Sequence, residues 1–287
     1  VKRTAITILW LPSSDRKYVM SAVIEHRPIG DLTSLSQFPP VLQRILSARN
    51  VVDPEAMEYD LSHLLPFDDL LNINQAVARL VQALAGGERI LIVGDFDVDG
   101  ATSTTLAVLA LRAMGAKDVD YLVPNRFDYG YGLSPEIVDV AHQSSPDLIV
   151  TVDNGISSVA GVARARELGI DVLVTDHHLP GEVLPEDCIL INPSLPEDKF
   201  PSTALAGVGV IFYVMVALRS GLKDNGWFGQ QQIACPRMSD YLDLVALGTV
   251  ADLVPLDKNN RVLVHQGLAR IRQFPVRPGL QALINVS

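Results

Sequence analysis

From Arg89 onward, short apolar runs alternate with longer stretches whose apolar positions recur at three- and four-residue spacing. The runs RILIV (89–93), VDYLV (119–123), DLIVTV (147–152), IDVLV (170–174) and CILIN (188–192) are rich in β-branched side chains, and each predicts a buried strand. Helices are expected between them: 101–114, closed by Gly115; 134–143, with Ser134 as cap and Pro135 in the first turn; and 157–168, closed by Gly169. Continuous apolar strands alternating with helices predict an α/β fold, a parallel, doubly wound five-stranded sheet. Helical segments flank it on both sides. From Leu35 the spacing is helical, with Pro39-Pro40 opening a segment to Ala48, Pro54 opening another, and Asn72 or Asn74 capping an amphipathic run that ends at Gly86-Gly87. After Pro201 helices are expected over 203–220, 239–250 and 261–272, the first two separated by a polar stretch with Gly221, Gly226 and Gly229. The chain therefore divides into an N-terminal extension and helical preface (1–88), an α/β domain (89–258) and the start of a connector helix (259–287). Residues 1–34 show no clear period.

Composition narrows the class of protein without choosing a function. A chain of 287 residues with 48% hydrophobic and 20% charged positions excludes intrinsic disorder and collagen-like architecture. Two cysteines, Cys188 and Cys235, cannot make a disulfide framework, and nothing at the N-terminus has the basic-then-apolar layout of a secretory signal, so a reducing, cytoplasmic setting is expected. The longest apolar run, Ala204 to Leu218, is shorter than the roughly 20 residues needed to cross a bilayer and reads as a buried helix. The 23 basic and 33 acidic residues give a net charge of −10, unpromising for a protein that holds phosphates. That charge is uneven: residues 1–50 carry seven Lys/Arg against three Asp/Glu, leaving 16 against 30 for residues 51–287.

Part of this acid has the pattern of metal ligands. The first strand runs into Asp95-Phe96-Asp97-Val98-Asp99-Gly100, the third into Asp153-Asn154-Gly155 and the fourth into Asp176-His177-His178. In an open parallel sheet the carboxyl ends of the strands form the ligand-binding rim, so groups spread over 84 positions of sequence share one edge. A single Asp after a strand is ordinarily a helix cap; three such sites with two adjacent histidines are a different matter. Asp95-x-Asp97-x-Asp99-Gly100 begins like an EF-hand calcium loop, but Leu106 stands where that loop needs a bidentate Glu. An aspartyl-phosphate hydrolase with Asp97 as nucleophile would leave Asp176-His177-His178 unexplained. Carboxylates with imidazole and without thiolate favour Mn²⁺ or Mg²⁺, and there are too many for one ion. Two cations sharing a carboxylate are the usual arrangement for in-line displacement at phosphorus, which makes phosphoester hydrolysis the expected reaction.

GDFDVDGATS (94–103), TVDNGIS (151–157) and VTDHH (174–178) closely resemble the motifs of the DHH phosphoesterase family. VPNRFDYGYGLS (123–134), INP (191–193), LAGVGVIFYV (205–214) and LGTVADLVPLD (247–257) are similar to its single-strand-specific 5′→3′ DNA exonuclease branch. The resemblance covers roughly residues 35–287. It implies a centre for two Mn²⁺ or Mg²⁺ ions built from Asp97, Asp99, Asp153, His177 and Asp252, with Asp95 also among the ligands. Asp153 would sit between the metals, and His178 would face the scissile phosphate. Arg126 and Asn125 would contact substrate phosphate. The implied activity is release of 5′ mononucleotides from single-stranded DNA by a monomer acting in DNA repair and recombination, with single-strand-binding protein and a repair helicase as partners. Two alternatives stay open: a phosphodiesterase of short oligonucleotides or cyclic dinucleotides, and a non-catalytic replication scaffold. A second catalytic lobe with a Gly-Gly-His signature and an oligonucleotide-binding barrel, both usual in this branch, have no counterpart after Val276 in this sequence.

Overall fold

The computed structural model describes residues 27–51, 54–125, 129–273 and 275–286. The chain divides into two compact units, one ending at Glu58 and one beginning at Tyr59. In the first, helix α1 (Pro40–Ser47) starts as expected at its proline, where a missing N–H costs nothing. The segment opened by Pro54 is one 3₁₀ turn, Pro54–Met57, rather than a longer helix.

The second unit opens on further 3₁₀ turns, Leu61–His63 and Phe67–Asp69. In the first of these the Asp60 carboxylate takes the Ser62 amide, a local bond of the kind that competes with helix extension. Helix α2 (Ile73–Gly86) ends at Gly87 in a left-handed conformation. Its start differs from expectation. Asn72 precedes the helix, but its side chain makes no cap; it donates instead to the Leu190 carbonyl.

All five expected strands form: β1 (Arg89–Gly94), β2 (Asp118–Leu122), β3 (Leu148–Val152), β4 (Asp171–Thr175) and β5 (Ile189–Ile191). They make one parallel sheet in the order β2-β1-β3-β4-β5. Helix α3 (Val98–Ala113) links β1 to β2, α4 (Pro135–His142) precedes β3, and α5 (Val159–Glu167) precedes β4. Strand alternation sorts the core into two layers. Ile90, Ile92, Leu148, Val150, Val152 and Leu173 face α2, α3 and the long helix α6 (Gly207–Asp224), while Leu91, Val93, Ile149, Val172 and Val174 face α4 and α5. Helix α6 is buried nearly all round, as its apolar run requires, and it continues through Gly221 to Asp224. Beyond it lie the short α7 (Trp227–Gln231) and α8 (Leu242–Ala251), then α9 (Lys258–Ile271), capped by Asp257 and packed along α8, and α10 (Pro278–Val286). Among the described residues no helix is long and apolar enough to cross a membrane.

Candidate metal centre

The strand order reverses between β1 and β3, and this topological switch opens a crevice at their carboxyl ends. Gly94 pairs with Val152 and Val152 with Thr175, so the segments leaving β1, β3 and β4 emerge side by side. They are the three Asp-bearing segments. Asp97 caps α3 by accepting the Gly100 amide at 2.9 Å, and Asp95 accepts its neighbour's amide at 2.8 Å. Helix α3 begins earlier than the sequence pattern suggested, at Val98, which puts Asp99 inside the first turn.

Asp99 is 1% exposed, and both its oxygens are held by the start of another helix: the Gly207 and Val208 amides of α6 donate at 2.6 and 3.0 Å. Free N–H groups and the positive end of the helix dipole stabilise a carboxylate there. Asp153, 2% exposed, follows β3 with φ +61°, a left-handed conformation that Asp tolerates better than most residues. Gly207 lies against it; a Cβ added at that glycine would stand 2.6 Å from the Asp153 Cβ. Asp252 arrives from the far end of the chain as the C-cap of α8, a helix packed on α3.

These elements bring the predicted ligands together. His177 Nε2 lies 3.1 Å from Asp153 Oδ1, 3.6 Å from Asp252 Oδ2 and 3.9 Å from Asp99 Oδ2. The donor atoms fall into two clusters, each within 4.8 Å: Asp95, Asp97 and Asp153 on one side, Asp99, His177 and Asp252 on the other. A third grouping, Asp153 with His177 and His178, joins them. Asp153 and His177 therefore link the two clusters. Asp153 Oδ1 and His177 Nε2 are both buried, and apart from their 3.1 Å approach to each other neither has a hydrogen-bond partner within the protein. Buried polar atoms ordinarily find partners. Two such atoms converging with four further carboxylates fit divalent cations, whose charge would offset the repulsion.

Burial first, and then the neighbouring charges, set the protonation of these groups. Burial, with Asp153 nearby, pushes Asp99 up to about 7. Burial also raises Asp153 to about 6, although His177 opposes the shift. Burial alone would lower His177, but the carboxylates of Asp153, Asp99 and Asp252 override it and push His177 up to about 9.

His178 lies beside the cluster with its side chain 46% exposed, its Nδ1 bonded to Asp176 at 2.7 Å. Asn125 is exposed on the loop after β2, where its carbonyl accepts the Tyr129 amide. Arg126 lies outside the described residues. Three contributors were not singled out from sequence: the Gly207-Val208 amides, Asp176 as an anchor, and Tyr131. The glycines of LAGVGV were a signal for the first, since close backbone approach requires glycine.

Comparison with known proteins gives the family. The model of the DHH family, N-terminal domain, matches residues 89–249. The single-stranded-DNA-specific exonuclease RecJ of Escherichia coli (strain K12) is 54% identical over 265 residues, which are 92% of this chain and 46% of that protein. The crystal structure of RecJ from Thermus thermophilus in complex with Mn²⁺ matches with TM-score 0.70 and 32% identity, covering 90% of this chain and 36% of that one. A crystal structure of exonuclease RecJ bound to manganese matches with TM-score 0.65 and 37% identity, covering 77% of this chain and 53% of that one. The chain thus spans about half the length of the curated relatives it matches.

Proposed function

Because the chain belongs to the DHH family, we propose that it carries the metal centre of a single-strand-specific DNA exonuclease, a hydrolase that releases 5′ mononucleotides. The observation that carries this reading is the convergence of two ligand clusters, Asp95, Asp97 and Asp153 and Asp99, His177 and Asp252, at the crevice between β1 and β3. Asp95, Asp97 and Asp153 would hold one cation, Mn²⁺ or Mg²⁺, and Asp99, Asp153, His177 and Asp252 a second. Bound there, the pair would polarise the scissile phosphate and lower the pKa of water, which is the chemistry phosphodiester hydrolysis needs.

The side chains have separate tasks in this reading. The α6 amides hold Asp99 against the repulsion of its neighbours. His178, exposed beside the cluster, faces the incoming phosphate and meets charge developing on it. Arg126 and Asn125 are proposed phosphate contacts on the loop after β2. Intact acidic motifs favour an enzyme over a non-catalytic scaffold. Identity above 50% to single-strand-specific exonucleases favours long strands over dinucleotides. A cytoplasmic setting belongs to the same reading, supported by two cysteines that are both free. Single-strand-binding protein and a repair helicase are partners proposed from the resemblance.

The test is hydrolysis by the intact protein of 5′- and 3′-labelled single strands and of dinucleotides, with Mn²⁺, with Mg²⁺ and with chelator. Mononucleotides released from 5′ ends, and only with metal, are expected. Chelator-resistant hydrolysis or exclusive dinucleotide cleavage would overturn the proposal.

A further inference from the structure

We propose that Tyr131 is a positioning residue of this centre: anchored on the Asp153 backbone carbonyl, it braces the His178 ring on one side while Asp176 holds the ring on the other. The inference rests on the hydrolase reading above. Tyr131 stands on the loop between β2 and α4, where it lines a cavity of about 210 Å³ together with Gly155, Ser157 and Ser158. Its hydroxyl reaches out of that lining to two functional groups. It donates to the Asp153 carbonyl at 3.0 Å, and its oxygen lies 3.2 Å from His178 Nδ1 and 3.4 Å from Nε2, with the two rings edge to face. One side chain thus touches both the residue between the metal clusters and the imidazole beside them.

Asp176 completes the arrangement from within. It is fully buried and saturated: Oδ2 accepts the Ile156 amide at 2.9 Å, and Oδ1 accepts the His177 amide at 2.7 Å and the His178 amide at 3.1 Å. A carboxylate so placed keeps its charge available to His178 Nδ1 and fixes the tautomer with the proton there. Nε2 is then the ring nitrogen through which a proton is exchanged with the substrate, and a proton delivered there meets the charge that develops on the phosphate. The backbone is pinned as well, since Asn192 donates to the His178 carbonyl and Ser194 to that of His177. A histidine half exposed to solvent would otherwise sample several rotamers, and a group aimed at a transition state loses rate when its position is not fixed in advance. Tyr131 and Asp176 together remove that freedom.

The tests separate positioning from folding and from the function itself. Nitrogen-detected NMR of the chain, at a pH where the ring is neutral, should find the His178 proton on Nδ1; predominance of the Nε2–H tautomer would overturn the inference whether or not the protein cleaves DNA. In the intact protein Tyr131→Phe, which keeps the ring and the cavity wall, should lower kcat about tenfold, the scale of one lost hydrogen bond. KM, Mn²⁺ affinity and melting temperature should stay near wild type. Wild-type kcat in Tyr131→Phe, or a loss of turnover that merely follows lost Mn²⁺ or lost stability, would contradict the role. Asp176→Asn should shift the tautomer balance and lower kcat further than Tyr131→Phe. If wild type itself fails to cleave single strands, the hydrolase reading falls, and the tautomer measurement still decides whether Asp176 holds the ring.

Discussion

His177 and His178 are adjacent in the chain and opposite in surroundings: one side chain is 11% exposed with Nε2 among three carboxylates, the other 46% exposed with Nδ1 on Asp176. Their loss should therefore have different consequences. His177→Ala is expected to weaken Mn²⁺ binding, whereas His178→Ala should keep the metal and lose turnover; equal loss of bound Mn²⁺ in calorimetry would refute that division. The raised protonation of the cluster predicts a second effect. Asp99 (about 7) and Asp153 (about 6) both titrate above the 3.8 of an ordinary Asp carboxyl, so the folded chain holds protons there that the unfolded chain has released. Their contribution to stability is complete below about pH 4 and disappears as pH rises through 6 and 7. His177, raised to about 9 from 6.5, contributes fully below 6.5 and loses that contribution through 9. The metal-free melting temperature should accordingly fall between pH 5 and 9, and Mn²⁺, which displaces the same protons, should bind more tightly as pH rises over that range. A metal-free melting temperature that rises with pH would contradict this account. At this scale the candidate ligands Asp95, Asp97, Asp99, Asp153 and the two histidines were legible from sequence because all lie on the segments that leave β1, β3 and β4. Asp252 was not, since an Asp ending an apolar helix looks like any polar terminus, and only the family resemblance pointed to it.

Elements decide how close these groups come. The expected strands all formed, because buried parallel strands leave an unambiguous run of apolar residues. Helix starts were less legible: α3 begins three residues before the expected 101, with Asp97 as its cap, and Asn72 serves β5 instead of capping α2. Nor did spacing along the chain disclose that the first turn of α6 holds a residue 108 positions earlier. That turn offers a direct test. A methyl group at Gly207 would press on the Asp153 Cβ at 2.6 Å and Oδ1 at 2.8 Å, while the Gly207 amide must stay on Asp99. Gly207→Ala should thus lower Mn²⁺ affinity at least tenfold, with a stability loss of about 1–3 kcal/mol typical of overpacking. An alanine variant that binds Mn²⁺ like wild type would mean that α6 does not hold the cluster in place.

For the whole molecule the salient quantity is charge. Residues 51–287 carry 30 acidic against 16 basic side chains, and five of the carboxylates converge on one crevice. Such convergence costs stability unless cations offset it, so the acidic balance that is unpromising for holding phosphates lies partly in this cluster. The central claim is that this crevice takes two cations with Asp153 between them. Calorimetric titration of the chain with Mn²⁺ at pH 8, wild type beside Asp153→Asn, tests it most directly, because asparagine also tolerates the left-handed backbone at that position. Two ions per chain are predicted for wild type, with both sites weakened at least tenfold in the variant. One ion per chain in wild type, or two sites of unchanged affinity in Asp153→Asn, would contradict the account.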